Sequence, residues 1–207
     1  MRNWLKLALA AALLLGTAQA ATVVRLQPGA MAEQSELIFI GTVTGQRSAL
    51  EESPGRVFTH TTFAVEQTVK GEKQSTFTLR QLGGVVGEGV SQIGTVVPGY
   101  AQFAVGERVL VFLERTDTGR LVVTGLAQGK YTLQTDPKSG QVLAVRDLEG
   151  LHLVGRAPEK VFAGMPENFD RLLLPDLLAV VAGKRPAPFA PKVVRTPMVS
   201  LPGGSDR

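Results

Sequence analysis

No cysteine occurs in the 207 residues, and the chain holds only 2 histidines, 2 tyrosines and 1 tryptophan. Without cysteine no disulfide can staple the fold, so a hydrophobic core has to hold it together, and a chain of this length can build one. A zinc site usually takes three or four protein ligands. With no cysteine, no H-E-x-x-H, and only His60 and His152 available, no metal site and no cofactor are expected. Aromatic residues are 6% of the chain. Phe39, Phe63, Phe77 and Phe112 read as strand core positions, which leaves little for a base-stacking platform. Basic residues are scattered and form no stripe, so no nucleic-acid partner is expected.

What is present begins with an address. MRNWLKLALAAALLLGTAQA opens with Arg2 and Lys6, continues through the apolar run Leu7–Leu15 and ends in Ala18-Gln19-Ala20. Charged start, short apolar core and small-residue site are the parts of a secretory signal, in order. The apolar run is too short to span a bilayer comfortably, so residues 1–20 read as a cleaved leader with no stable membrane span afterwards. Its removal takes Lys+Arg from 22 to 20 against 18 acids, a formal charge of +2 in place of +4. An exported chain without disulfides fits a bacterial periplasmic or secreted protein.

The rest alternates. In ELIFIGTVT, Leu37, Phe39 and Val43 share one face while Ile38 and Ile40 share the other, which predicts a central strand buried on both sides. RVLVFLE, Arg108–Glu114, repeats the pattern. In VFTHTTFAVEQTVKG, Val57, Phe63, Val65 and Val69 take one parity and His60, Thr62, Glu66 and Lys70 the other, a long half-buried strand. Thr76–Arg80, Leu121–Thr124 and a hairpin of Lys130–Gln134 with Gln141–Val145 complete a series of short strands with Gly and Pro turns. That series predicts an antiparallel, mainly β fold. Helix is expected at Ala30–Ser35 as a short turn, and in DRLLLPDLLAVVAGK, where Leu173, Leu174, Leu177, Leu178 and Val181 recur at helical spacing. The expected organisation is a leader at 1–20, a β-barrel domain at 21–155, a C-terminal amphipathic helical segment at 156–184 and a Pro-rich mobile tail at 185–207.

LRQLGGVVGEGVSQIGT carries five glycines and raises the question of a phosphate cradle. A Walker loop needs a lysine after its last glycine. Gly89-Val90-Ser91-Gln92-Ile93-Gly94-Thr95 has the spacing without it. The dinucleotide fingerprint fails at Gln92, where its third glycine belongs, and no βαβ unit surrounds it. The stretch reads instead as a glycine-rich loop or irregular edge in a β domain. Gly83, Gly84, Val85, Val86, Gly87, Gly89 and Val90 form the candidate binding surface, with glycine backbone and valine side chains offered to a partner. No G-x-S-x-G elbow is present. Nothing singles out Ser35 or Ser91 as a nucleophile, and Asp147 and Glu149 are no acid/base pair on spacing alone. No catalytic residue is assigned.

Ser35–Val43, Phe63-Ala64-Val65, Val69-Lys70-Gly71, Gly83-Gly84, Phe103–Glu107, Val111-Phe112-Leu113 and Gly125–Tyr131 make up a pattern running from about Leu26 to Leu133. It resembles a group of bacterial exported proteins, a likeness that brings no assigned activity. The first half is similar, more loosely, to netrin-like domains of the tissue metalloprotease inhibitor type, which implies an OB-like barrel and brings a protease into view as a partner. Those inhibitors chelate the catalytic zinc through an N-terminal cysteine. Here the expected mature start is Ala21-Thr22, so the likeness extends to the barrel and not to that mechanism. The resulting expectation is a non-enzymatic exported binding protein with an OB-like (netrin-like) barrel, whose partner is a protein or cell-envelope component. An envelope hydrolase without a recognisable motif and a structural or assembly protein are the alternatives.

Overall fold

A strand that is apolar on both parities is stable only when both of its faces are covered. The computed structural model describes residues 21–51, 55–88, 91–154 and 170–183, and in it Leu37–Val43 is covered in this way. The expected leader and the Pro-rich tail lie outside the described residues. In chain order the strands are β1 (Ala21–Val24), β2 (Leu37–Glu51), β3 (Arg56–Lys70), β4 (Thr76–Leu82), β5 (Gly84–Val86), β6 (Ile93–Thr95), β7 (Arg108–Arg115), β8 (Leu121–Val123), β9 (Lys130–Thr135), β10 (Val142–Val145), β11 (Leu151–Val154) and β12 (Arg171–Leu173). Two helices join them, α1 (Pro28–Gln34) and α2 (Leu174–Val181). Pro28 and Pro175 each stand in a first helical turn, where a missing N–H costs nothing.

The main sheet is antiparallel, in the order β12-β10-β9-β7-β2-β3-β4, with β8 paired to β7. β2 lies at its centre, and its register sets Phe39 opposite Val111 and Ile40 opposite Leu110. Each face therefore gathers its own core. Ile38, Ile40, Leu110, Phe112 and Tyr131 pack under Met31 of α1 and Leu174 and Leu177 of α2. On the other face Phe39, Phe63, Leu79, Phe103, Val109 and Val111 pack together. The Phe63 ring meets Phe39 and Phe103 edge-on, with centroids 5.4 and 5.2 Å apart.

The sheet is not closed into a barrel. It is, however, strongly curled. β4 and β8 are separated by four ladder steps, about 19 Å on a flat sheet at ~4.8 Å per step, yet their Cα atoms come within 8 Å. No ladder joins them among the described residues. Four antiparallel ladders lie between them, so the two run in the same direction. Outside the main sheet, β1 pairs in parallel with β11, and β5 pairs with β6.

The single parity expected for Val57, Phe63, Val65 and Val69 does not hold along the whole of β3. Register shifts at Ile38/Phe39 and Ile40/Gly41 leave Val69 and Glu66 as extra residues on β3. Each such bulge moves the following side chains to the other face. Val65 thus packs with the Phe63 core, whereas Val69 packs with the core beneath the helices.

Within the C-terminal segment the described residues 170–183 are continuous with the sheet, and 156–169 lie outside the described residues. β12 pairs with β10, and Leu172, Leu174 and Leu177 enter the core. A buried Arg146 fastens this junction. Its Nη2 donates to Asp170 Oδ1 at 2.9 Å, its Nη1 donates to the Leu26 carbonyl at 3.2 Å, and its guanidinium lies 5.2 Å from the Tyr131 ring. The fully buried Tyr131 hydroxyl has no hydrogen-bond partner among the described residues, and burial pushes its pKa up to about 12.

Two outcomes follow. Phe63→Ala should cost about 3–5 kcal/mol in urea unfolding, since the ring is fully enclosed; a change within error would mean that the curled core is not formed. For Tyr131, the unfolded phenol ionises near pH 10 while the folded one stays protonated to about pH 12. Stability should therefore fall as pH rises through that window, by about 1.4 kcal/mol per pH unit from this group. Tyr131→Phe should show a shallower alkaline fall at nearly unchanged neutral stability, read by denaturant melts at pH 8 to 11.5.

Candidate functional site

β2 and β3 are each 15 residues long, and their far halves, with β4 paired to β3, carry the sheet on past the phenylalanine core as an arm. On the face continuous with Phe63, the arm carries polar side chains. Gln46, Thr59, Thr61 and Gln81 line a cavity of about 510 Å³, whose floor includes Ala101 and Phe103. Lys130, Asp147 and Glu149 stand on its far side. Several of these groups are already engaged. Gln46 Nε2 donates to Thr61 Oγ1 at 3.2 Å, and Gln81 Nε2 to the Ala101 carbonyl at 3.3 Å. Lys130 Nζ pairs with Glu107 Oε1 at 2.7 Å and donates to the Gln102 carbonyl. Neutral amides and hydroxyls above an apolar floor suit hydrogen bonding to a polar or extended ligand.

The glycine-rich stretch forms the cavity's outer wall. Where a glycine-rich loop or irregular edge strand was expected, the chain makes a short hairpin, with Gly84 opposite Thr95, Val85 opposite Gly94 and Val86 opposite Ile93. Its base is bound to the arm. Gly83 N donates to the Val57 carbonyl at 2.8 Å, Thr59 Oγ1 donates to the Gly83 carbonyl at 2.8 Å, and Ser48 Oγ lies 2.9 Å from Thr59 Oγ1. Gly84 sits directly on that hydroxyl pair. A Cβ there would come within 2.2 Å of Thr59 Oγ1 and 2.5 Å of Ser48 Oγ, and its φ of +125° is one that side-chain-bearing residues rarely adopt.

The predicted binding residues therefore divide. Gly83 and Gly84 face the arm and position the hairpin. Gly87 is exposed in its turn, Val86 is half-buried and Val85 is exposed. Gly89 and Val90 lie outside the described residues. Sequence reasoning did not assign Ile93 and Val96 to this surface, yet they are 55% and 86% exposed, beside Val85 at 56%. Alternation puts Val85, Gly94 and Val96 on one face and Ile93, opposite Val86, on the other, with the Val85 methyls leaning toward the space above Gly94.

On the opposite face of the arm lies a charged cluster. His60 Nε2–H donates to Glu51 Oε1 at 2.5 Å, and Arg80 Nε donates to Glu51 Oε2 at 2.8 Å. The Arg80 guanidinium lies 3.4 Å over the Phe58 ring. The His60 hydrogen bond, and after it the one from Arg80, hold the Glu51 carboxyl below the usual carboxylate range. His152 is exposed on β11 and Ser35 is buried, with its Oγ donating to the Met31 carbonyl at 2.7 Å. Among the described residues no three His, Cys, Asp or Glu side chains are placed to share a metal ion.

No protein-family model matches the chain, no curated protein matches it, and no solved structure matches it.

Gly84→Ala should destabilise the fold by more than about 1 kcal/mol, through both the left-handed φ and the hydroxyl clash. Ser48→Gly in the same chain should recover part of the loss. A neutral Gly84→Ala in urea melts would mean that the hairpin is not docked on the arm.

Proposed function

We propose that the chain is an exported, non-enzymatic binding protein of the bacterial envelope, which engages a protein or envelope component through the β5–β6 hairpin and the cavity behind it. The observation that carries this reading is the exposure of Val85 and Val96 on one face of a short hairpin, with Ile93 exposed on the other, beside a concave, hydrogen-bonding surface. Single exposed valines are ordinary, but several on one projecting element mark an interaction surface. Burying each is worth about 1.5–3 kcal/mol, enough for a small patch to anchor a partner. Export rests on Arg2, Lys6, the apolar run Leu7–Leu15 and Ala18-Gln19-Ala20.

The same reading takes the curled sheet as an OB-like barrel left open along one seam. Its support is the strand order β8-β7-β2-β3-β4 with edges running in the same direction, and the approach of those edges to within 8 Å. OB-folds are partly open five-stranded barrels that bind ligands on a strand face and its adjoining loops, which is where the cavity and hairpin lie in this chain.

The test expresses the chain with its own leader, isolates it from its envelope fraction and compares what it retains with what a Val85→Ser, Ile93→Ser, Val96→Ser variant retains. The expected result is one or more components lost from the variant at an unchanged melting temperature. Identical retention at equal stability would remove the hairpin as the binding surface.

A further inference from the structure

The cavity behind the hairpin has a definite chemistry. Register sets Gln46 opposite Thr61 and Gln81 opposite Thr59, so all four side chains belong to one sheet face. They meet the cavity as side chains and not as a backbone edge. Thr59 is committed to Ser48 and the Gly83 carbonyl, and Thr61 accepts from Gln46. Each glutamine has spent one N–H, on Thr61 or on the Ala101 carbonyl. Oε1 and the second N–H of both remain free among the described residues, an acceptor and a donor side by side in one plane.

Across the cavity stand Asp147 and Glu149, both exposed. Asp147 Oδ1 accepts from Glu149 N at 2.9 Å, which leaves Asp147 Oδ2 and the Glu149 carboxylate without a partner among the described residues. Lys130, the cation lining the cavity, is matched by Glu107 at 2.7 Å. The uncompensated charge is therefore negative, which disfavours an anionic ligand. Two aromatic residues complete the lining. Phe103 is edge-on to Phe63 at 5.2 Å, with Lys130 Nζ 5.1 Å from its ring. Tyr100 is half-buried, and its ring has no ring or cation partner among the described residues.

Taking this cavity as the binding surface proposed above, we infer that it holds an uncharged oligosaccharide segment. Sugar hydroxyls meet Gln46, Gln81, Asp147 and Glu149, and the C–H face of a sugar ring lies against Tyr100. Each hydroxyl both donates and accepts, which matches the planar amides, and free carboxylate oxygens accept from hydroxyls in short, strong bonds. Tyrosine supplies rigid contact area while its own hydroxyl stays wet. At about 510 Å³ the cavity is within the range of small-ligand sites. A polypeptide fits less well, because an added strand needs a backbone edge and this wall offers side chains. A purely cationic ligand would use the carboxylates and leave both amides idle.

The test titrates the full chain with uncharged tetrasaccharides of glucose, N-acetylglucosamine, mannose and galactose, read by calorimetry and saturation-transfer NMR. At least one should bind saturably, with transfer strongest at ring C–H protons. Gln46→Ala and Tyr100→Ala should each weaken it at least fivefold at an unchanged melting temperature, and Tyr100→Phe should retain it. Asp147→Asn and Glu149→Gln should weaken it less than fivefold, because an amide oxygen still accepts; a larger loss would assign the cavity to a cation and overturn the inference. No saturation with any of the four up to millimolar concentration, equal binding of a serine–glycine octapeptide, tighter binding of polygalacturonate, or binding untouched by Gln46→Ala would each overturn it too. The hairpin variant reads separately. Envelope components lost from the Val85→Ser, Ile93→Ser, Val96→Ser chain while no tetrasaccharide binds would overturn the ligand class and leave the binding surface standing.

Discussion

Everything in this fold depends on the ladder between β2 and β7. Both strands are apolar on both parities, and their register matches like face to like face. Such a pair cannot lie at the surface, because one face or the other would meet water. Two covers are therefore required. One comes from α1 and α2 packed over Ile38, Ile40, Leu110 and Phe112. The other comes from the sheet itself, which curls until Leu79 of β4 and Val123 of β8 join the core around Phe39 and Phe63. The near approach of β4 and β8 thus follows from the need to cover the second face with few strands. The bulges in β3 permit the bend and redirect Val69 to the helix side.

The same curl shapes the cavity and the hairpin beside it. Beyond Phe63 the inward positions of β3 change from phenylalanine to Thr61 and Thr59, with Gln46 beside them on β2. A concave face that would be dry nearer the centre becomes hydrogen-bonding at the mouth. The hairpin is held over that mouth by backbone and hydroxyl contacts to Gly83, with Gly84 allowing the close approach. Along the seam, no strand pairs with the outer edge of β4 among the described residues.

Much of the scaffold was legible in the residues. The two doubly apolar strands, the half-buried strand of His60 and Phe63, the hairpin of β9 and β10, and the C-terminal helix all follow from local periodicity and turn chemistry. Local rules could not locate the bulges, because a single extra residue in a ladder depends on the partner strand. For the same reason Val57, Phe63, Val65 and Val69 read as one face although Val69 belongs to the other. The site was legible only in part. Val85 stood out, but Gly83 and Gly84 read as exposed backbone when they are packing positions, since the hydroxyls they meet lie 24 and more residues away on β2 and β3.

By itself the sequence determined composition-level and periodic facts: a core without disulfides, a mainly antiparallel β architecture, a leader-like start, and a glycine stretch that lacks the Walker lysine and the third fingerprint glycine. These are set by residue type and by spacing along the chain, which fix strand or helix through the period at which apolar side chains recur. The tertiary structure alone decided whether the sheet closes, which edge stays open, and which polar side chains meet at the mouth of the curl. Those outcomes depend on register and on contacts between residues far apart in sequence, such as Thr59 with Gly83, Arg80 with Glu51, and Arg146 with Asp170. No local pattern encodes such pairings, because their energy exists only once the curled sheet has brought the partners together.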